Sequence, residues 1–242
     1  MIDIIVVHGA LGAAAQMQPV AKALRALGNV VVAELPGHGA TTLGDATFSM
    51  ATFVRSLAET VAAISYVETN RDAAAPKPVV FGYSMGGYVA LTLEAKRPGT
   101  FSGIVTLGTK FEWTPTVAAQ ESARLDHGAI SEKLPKFAAT LSDRHTACGG
   151  WHDVLANTRL LLESLGSAPL LTRESLSHIA VPVCVAVGDR DETVSAAEAE
   201  KFAGYMRNGV SRVLADTPHP IERVSPDTVL RLVHDVSVAS VL

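Results

Sequence analysis

Cysteine is scarce in this chain. Cys148 and Cys184 are the only two among 242 residues, and Cys184 lies inside an apolar run of strand type. Two thiols so placed make no disulfide framework, and the expectation is a reducing, cytoplasmic setting. Charge is sparse too: 18% of residues, a net charge of −4, and both signs mixed along the chain. No basic block offers itself to nucleic acid, and no basic amphipathic stretch to a membrane surface. No apolar run approaches the roughly 20 residues of a membrane span. The opening Met-Ile-Asp-Ile-Ile-Val-Val-His-Gly lacks the positive n-region of a signal peptide, and its apolar run is broken by Asp3 and ends at His8. Metal-ligand spacings are missing, with no His-x-x-x-His, no Cys-x-x-Cys and no carboxylate cluster; Arg144-His145 and His152-Asp153 lie too far apart to count. Gly9 and Gly12 do not make a G-x-G-x-x-G, and no Walker lysine follows a glycine loop. The expectation is neither a metal nor a nucleotide cofactor.

What remains is a core-rich composition, 48% apolar, in a length that suits one sizeable domain. Six short runs rich in β-branched residues read as strands: Ile2–Val7, Val30–Ala33, Pro78–Phe81, Gly103–Leu107, Val181–Val187 and Val210–Leu214. Most are continuously apolar rather than alternating, which suits strands buried on both faces of a parallel sheet. Helical patterns fall between them, at Gln16–Leu27, Met50–Val67, Met85–Lys96 and Ala196–Met206, with a last one at Pro226–Val236. Ser49 and Ser225 stand where N-caps belong, the second followed by Pro226 at the first helical position. Alternating strands and helices define an α/β class. One interval breaks the rhythm. Some seventy residues separate the fourth run from the fifth, helical in pieces at Thr116–Leu125, Ser131–Leu141 and Asp153–Leu165. They read as a helical cap inserted at about 110–178 over the sheet's C-terminal edge, not as a second domain. A small alanine-rich loop is expected at Asp72–Pro76.

Gly82-Tyr83-Ser84-Met85-Gly86 fits the pattern G-x-S-x-G between a strand and a helix. A sharp turn there lifts the serine hydroxyl clear of the sheet and crowds its flanks so closely that only glycine fits easily. The helix that follows aims its N-terminus at the reacting group, where developing negative charge is favoured.

In these residues the chain resembles the α/β-hydrolase family. The ordered set is His8-Gly9, then Leu35-Pro36-Gly37-His38-Gly39, Gly82–Gly87, Gly188-Asp189-Arg190-Asp191 and His219-Pro220-Ile221-Glu222, each after its strand. The resemblance implies a serine–acid–histidine triad in that chain order. Of eight histidines, only His219 and His234 follow the acids near Asp191. His234 falls within the last helix, while His219 lies in a loop at the same sheet edge as Ser84. The family spacing, glycine-x-x-aspartate, favours Asp191 over Asp189, which reads as a turn residue. Asp216, three residues before His219, is badly placed to orient its ring. The resemblance further implies an oxyanion hole from the backbone N–H groups of Ala10 and Met85.

His8 and His38 read as loop-fixing residues and Tyr83 as packing in the turn. Leu11, Trp113 and Trp151 are candidates to line an acyl pocket, with Phe111 and Met85 beside them. Lys110 and His145 could bind a polar substrate group, although solvated surface positions suit them better. The family commonly has two further strands before His8-Gly9; only seven residues precede it here. The expectation is therefore a wholly parallel six-stranded sheet in the order 2-1-3-4-5-6, with the second strand an edge that a helix or a partner subunit would cover. The implied function is a serine hydrolase acting on a carboxylic ester or related small acyl compound. A C–C bond hydrolase or lyase using the same triad as base, and a ligand sensor on the same framework, stand as alternatives. The expected partner is a small-molecule acyl substrate, without nucleic acid or membrane, and a homo-oligomer stays open.

Overall fold

The computed structural model describes residues 2–69 and 77–239. The expected loop at Asp72–Pro76 lies outside the described residues. The described residues begin with β1 (Ile2–Val7), which is followed by a short 3-10 turn at Ala14–Met17, α1 (Gln18–Leu24) and β2 (Gly28–Ala33). Helix α2 (Met50–Thr69) leads to β3 (Val79–Tyr83), α3 (Met85–Lys96) and β4 (Gly103–Leu107). Five helices follow: α4 (Pro115–Ala123), α5 (His127–Lys133), α6 (Pro135–Arg144), α7 (Trp151–Ser167) and α8 (Arg173–Ser177). The chain closes with β5 (Val183–Arg190), α9 (Ala196–Ala203), β6 (Gly209–Pro218), a 3-10 turn at Ile221–Arg223 and α10 (Pro226–Ala239).

The six strands form one sheet in the order β2-β1-β3-β4-β5-β6, and every neighbouring pair is parallel. This is the predicted order. Successive side chains on a strand point to opposite faces, so each strand serves two cores. Ile5, Val7, Val80 and Val185 pack with Phe53 and Leu57 of α2, Leu91 of α3 and Phe202 of α9. Ile4, Val6, Phe81 and Val105 pack with Val20 and Leu24 of α1 and Val229 and Val233 of α10. Strands β3 and β4 are buried throughout, whereas β2 and β6, the sheet edges, carry exposed and half-buried residues, β2 being buried only at its two ends.

Boundaries differ from the sequence reading where tertiary structure decides them. The first helix is shorter than Gln16–Leu27, because Pro19 opens the α-helix and a 3-10 turn precedes it. Strand β5 starts at Val183, past Pro182, and runs on to Arg190 because β6 keeps pairing with it across a bulge. The helical stretch expected at Ser131–Leu141 is two helices. Leu134 precedes Pro135, which disfavours helical backbone at Leu134, and α6 restarts with Pro135 in its first turn. Asp126 caps α5 by accepting from Ala129 N–H at 2.7 Å. Helices α5–α7 and the Leu11 loop share a separate small core of Leu11, Ile130, Leu141, Val154 and Leu155.

Candidate active site

Ser84 stands between β3 and α3 with φ +50° and ψ −119°, a region L-residues rarely occupy. Such a conformation costs about 1–3 kcal/mol and persists only where its surroundings impose it. They do so here. Ser84 N–H donates to Leu107 O at 2.8 Å, and its carbonyl accepts from Gly87 N–H at 3.0 Å and from Thr109 Oγ1 at 2.8 Å. A Cβ on Gly86 would lie 2.4 Å from Val7 O, and one on Gly82 would lie 2.4 Å from Gly87 Cα. The turn is therefore tight enough to press the start of α3 onto the end of β1. That contact brings the Gly9–Gly12 loop beside Ser84.

Asp191 follows β5, and its side chain is almost wholly buried. Oδ1 accepts from the N–H groups of Thr193 at 2.8 Å and Val194 at 3.0 Å. Oδ2 lies 2.7 Å from His219 Nδ1. With one oxygen occupied by two backbone donors, the other is free to accept from the ring. Asp189 instead accepts from Thr217 N–H at 3.1 Å, and the exposed Asp216 pairs with Arg190. His234 lies on exposed helix surface beside Asp235. Tyr83 does more than pack. Its hydroxyl donates to His219 O at 3.0 Å, and the two rings lie 5.5 Å apart. Burial first, and then the charges of Glu222 and Asp191, raise the Tyr83 phenol well above its ordinary value, so it stays a donor.

Ser84, His219, Tyr83, Ala10, Met85 and Leu11 line a single cavity of about 400 Å³, together with Leu125, Ile130, Leu134 and Phe137 of the α4–α6 region and Leu162 of α7. No hydrogen bond of 3.5 Å or less joins the Ser84 hydroxyl to His219 among the described residues; the two meet as walls of this cavity. Trp113 and Lys110 also line it. Lys110 is mostly buried rather than solvated, its Nζ donating to Thr193 O at 3.1 Å and lying 3.7 Å from Glu198. Glu198 in turn accepts from Phe111 N–H at 2.7 Å and Glu112 N–H at 2.8 Å. Phe111 is core, stacked on Phe202.

Two sequence expectations fail. Trp151 does not line the cavity. It shares a helical stripe with Thr158, Leu162 and Leu165, but sits about 10 Å further along the axis, against His127 and His152. His145 neither touches the cavity nor meets solvent. It is wholly buried, with Nδ1 accepting from Gly39 N–H at 3.0 Å and Nε2 donating to Leu11 O at 3.0 Å. Nothing in the local Arg-His dipeptide signals this, because the partners are more than 100 residues away in sequence.

His8, His38 and His145 form a buried cluster, with ring centroids 5.1 Å apart for His8–His38 and 6.0 Å for His38–His145. His8 Nδ1 donates to Gly9 O at 2.8 Å, and Nε2 accepts from Leu35 N–H at 3.0 Å. Glu34 lies 3.3 Å from His8 Nε2 and accepts from Ala14 N–H at 2.6 Å. Burial, then the neighbouring His8 and His145, push His38 well below its ordinary value. Burial also lowers His145, aided by the Arg144 charge. Burial pushes the Glu34 carboxyl up, but the adjacent His8 ring and the bonds from Ala14 N–H and Ala40 N–H outweigh it and leave it lowered. Glu34 had no sequence signal beyond its place before Leu35-Pro36-Gly37.

The fold and this site define an α/β hydrolase. The profile of the hydrolase family described as serine aminopeptidase, S33, matches residues 3–215, and the chain belongs to that family. No curated protein matches the sequence. Among solved structures, a thermophilic esterase from Thermogutta terrifontis is 18% identical with a TM-score of 0.76, over 99% of this chain and 90% of that one. NosK from Streptomyces actuosus is 20% identical with a TM-score of 0.75, over 99% and 98% of the two chains. Est816, described as an N-acyl homoserine lactone degrading enzyme, is 15% identical with a TM-score of 0.73, over 97% and 93%. Among the described residues, no helix is long and apolar enough to cross a membrane, and no group of three His, Cys, Asp or Glu side chains could hold a metal ion.

Proposed function

We propose that this chain is a serine hydrolase that cleaves a carboxylic ester or related small acyl compound, with Ser84 as nucleophile, His219 as base and Asp191 as the acid that orients it. One observation carries the reading. Ser84 is held in a strained turn at the head of α3, facing the same cavity as a histidine whose Nδ1 is bound by a buried aspartate. Asp191 accepts a hydrogen bond from Nδ1–H, which keeps the proton there and leaves Nε2 unprotonated to take the proton of Ser84 Oγ as that oxygen attacks the acyl carbon. The carbonyl oxygen gains the negative charge, and the N–H groups of Ala10 and Met85 are its donors. His219 then returns the proton to the departing alcohol, leaving an acyl-Ser84 ester. Water, deprotonated by His219, releases the acid and restores the hydroxyl. The open Ser84–His219 contact fits this scheme, since catalytic hydrogen bonds often tighten only when substrate is bound.

The helices between β4 and β5 act as a cap, and the cavity beneath them takes the acyl group. Its cations face carboxylates already: Lys110 with Glu198, Arg124 with Glu121 at 3.1 Å, and Arg144 with Glu222 at 3.2 Å. The remaining wall is mainly apolar. These features favour an uncharged acyl compound over a carboxylate-bearing one. The resemblance to an esterase and a lactone-degrading enzyme supports the same chemistry.

Ser84→Ala should abolish turnover of p-nitrophenyl butyrate while leaving the melting temperature close to that of the parent. Undiminished turnover in the variant would end the assignment. Turnover that needs His219 but leaves no acyl adduct would point to the base-only lyase reading. Failure of a fluorophosphonate to label Ser84 would favour the sensor.

A further inference from the structure

We infer that Arg144 and His145, at the C-terminal end of α6, are positioning residues that hold the Leu11 peptide and thereby fix the loop that presents the Ala10 N–H. The inference rests on the serine-hydrolase reading above.

Leu11 is one of three non-glycine residues with positive φ among the described residues, at +56°. A leucine there costs about 1–2 kcal/mol, so something outside the loop must hold it. Its carbonyl accepts two side-chain bonds, from His145 Nε2 at 3.0 Å and from Arg144 Nη1 at 2.8 Å. Both donors come from more than 130 residues away, in the helices between β4 and β5. The other ring nitrogen of His145 accepts from Gly39 N–H. An N–H donor on one side and a carbonyl on the other leave the ring one tautomer, with the proton on Nε2. The buried ring thus ties α6 to the loop after β1 and to the loop after β2.

Arg144 makes a second link. Its Nη2 lies 3.2 Å from Glu222 Oε1, three residues beyond His219, and Gln16 Nε2 reaches the same oxygen at 2.8 Å. One dipeptide therefore touches the loop of the oxyanion donor and the segment that follows the base. On its core side the first loop is held by His8 Nδ1 on Gly9 O and by Gly12 N–H on the same oxygen at 3.1 Å. The loop is clamped between the sheet and the cap, with the catalytic peptide in the middle. If this clamp sets the donor's aim, its loss falls on the transition state more than on substrate binding.

The test compares His145→Phe with His145→Gln on p-nitrophenyl butyrate. Glutamine carries one acceptor and one donor and can serve both partners of the ring; phenylalanine fills the space and serves neither. His145→Phe should lower kcat by about 10-fold to 100-fold, with KM changed by less than about threefold, and His145→Gln should recover most of the loss. Arg144→Met removes one donor from a half-buried position and should lower kcat about 10-fold, which keeps the test open if the phenylalanine variant does not fold. Parent-level kcat in both His145→Phe and Arg144→Met, beside an inactive Ser84→Ala, would overturn the inference alone. Equal loss of kcat and melting temperature in the phenylalanine and glutamine variants would reduce His145 to a packing residue and also overturn it. Full turnover in Ser84→Ala would remove the hydrolase reading and this inference with it.

Discussion

Asp191 is the residue at which geometry and chemistry can be separated. Asp191→Asn would keep its size and one acceptor for Thr193 and Val194, but would turn an amide toward His219 Nδ1. The ring would then carry its proton on Nε2 and could not accept one from Ser84. The expected result is a fall in kcat of about 10⁴-fold with the fold intact. Steady-state kinetics beside a melting curve checks it, and activity within tenfold of the parent would argue against the assigned role. At this scale the candidate site was legible where the proposed chemistry leaves a local pattern. Ser84 announces itself through Gly82 and Gly86, and His219 through the loop after the last strand. It was illegible where a role depends on distant partners. His145, Glu34 and the hydroxyl of Tyr83 hold the site through backbone groups that neighbouring sequence does not name.

The connection from α3 to β4 depends on a buried carboxylate. Glu94 accepts from Gly99 N–H at 2.6 Å, Thr100 N–H at 3.0 Å and Phe101 N–H at 3.1 Å. Glu94→Ala would leave the buried Phe101 N–H and the half-buried Gly99 and Thr100 N–H groups without this partner, and should cost about 1–3 kcal/mol of stability. Urea unfolding checks this; a shift below about 1 kcal/mol would show that the turn re-satisfies itself. Elsewhere the elbow sets the limit. Gly86→Ala would drive a methyl into Val7 O, and should destabilise the protein by about 1–3 kcal/mol and displace the Ala10 loop. Parent-like unfolding and kcat in that variant would show that β1 and α3 can separate freely. Among the elements, the central strands were readable because burial on both faces makes their sequence continuously apolar. The edges were read less well. Strand β6 runs from Gly209 to Pro218 although only its middle is apolar, because pairing with β5 rather than side-chain pattern sets its length. The α5–α6 break at Leu134–Pro135 was present in the sequence, in the proline.

Across the whole molecule, the buried histidines couple stability to acid. In the unfolded chain His38 and His145 titrate near 6.5; in the native state burial lowers both. Below about pH 6.5 the unfolded chain therefore binds more protons than the native one, and stability falls with pH. The groups facing the pair, His8, Glu34 and Arg144, do not change this sign: the native histidines remain lowered in their presence. Glu34, lowered from 4.5, adds a further loss below that value. Full stability should hold above about pH 6.5 and then fall by up to about 1.4 kcal/mol per pH unit for each histidine. Urea midpoints from pH 8 to 5 check this slope, and a flat profile would contradict it. The same scale holds the central claim, that three side chains distant in sequence meet at one sheet edge and make an alcohol reactive. The most direct measurement is intact and peptide-level mass spectrometry of the protein quenched during turnover of p-nitrophenyl butyrate. The account predicts a butyryl group on the peptide containing Ser84, absent from Ser84→Ala. Continued turnover with no adduct at Ser84, or an adduct on another residue, would contradict it.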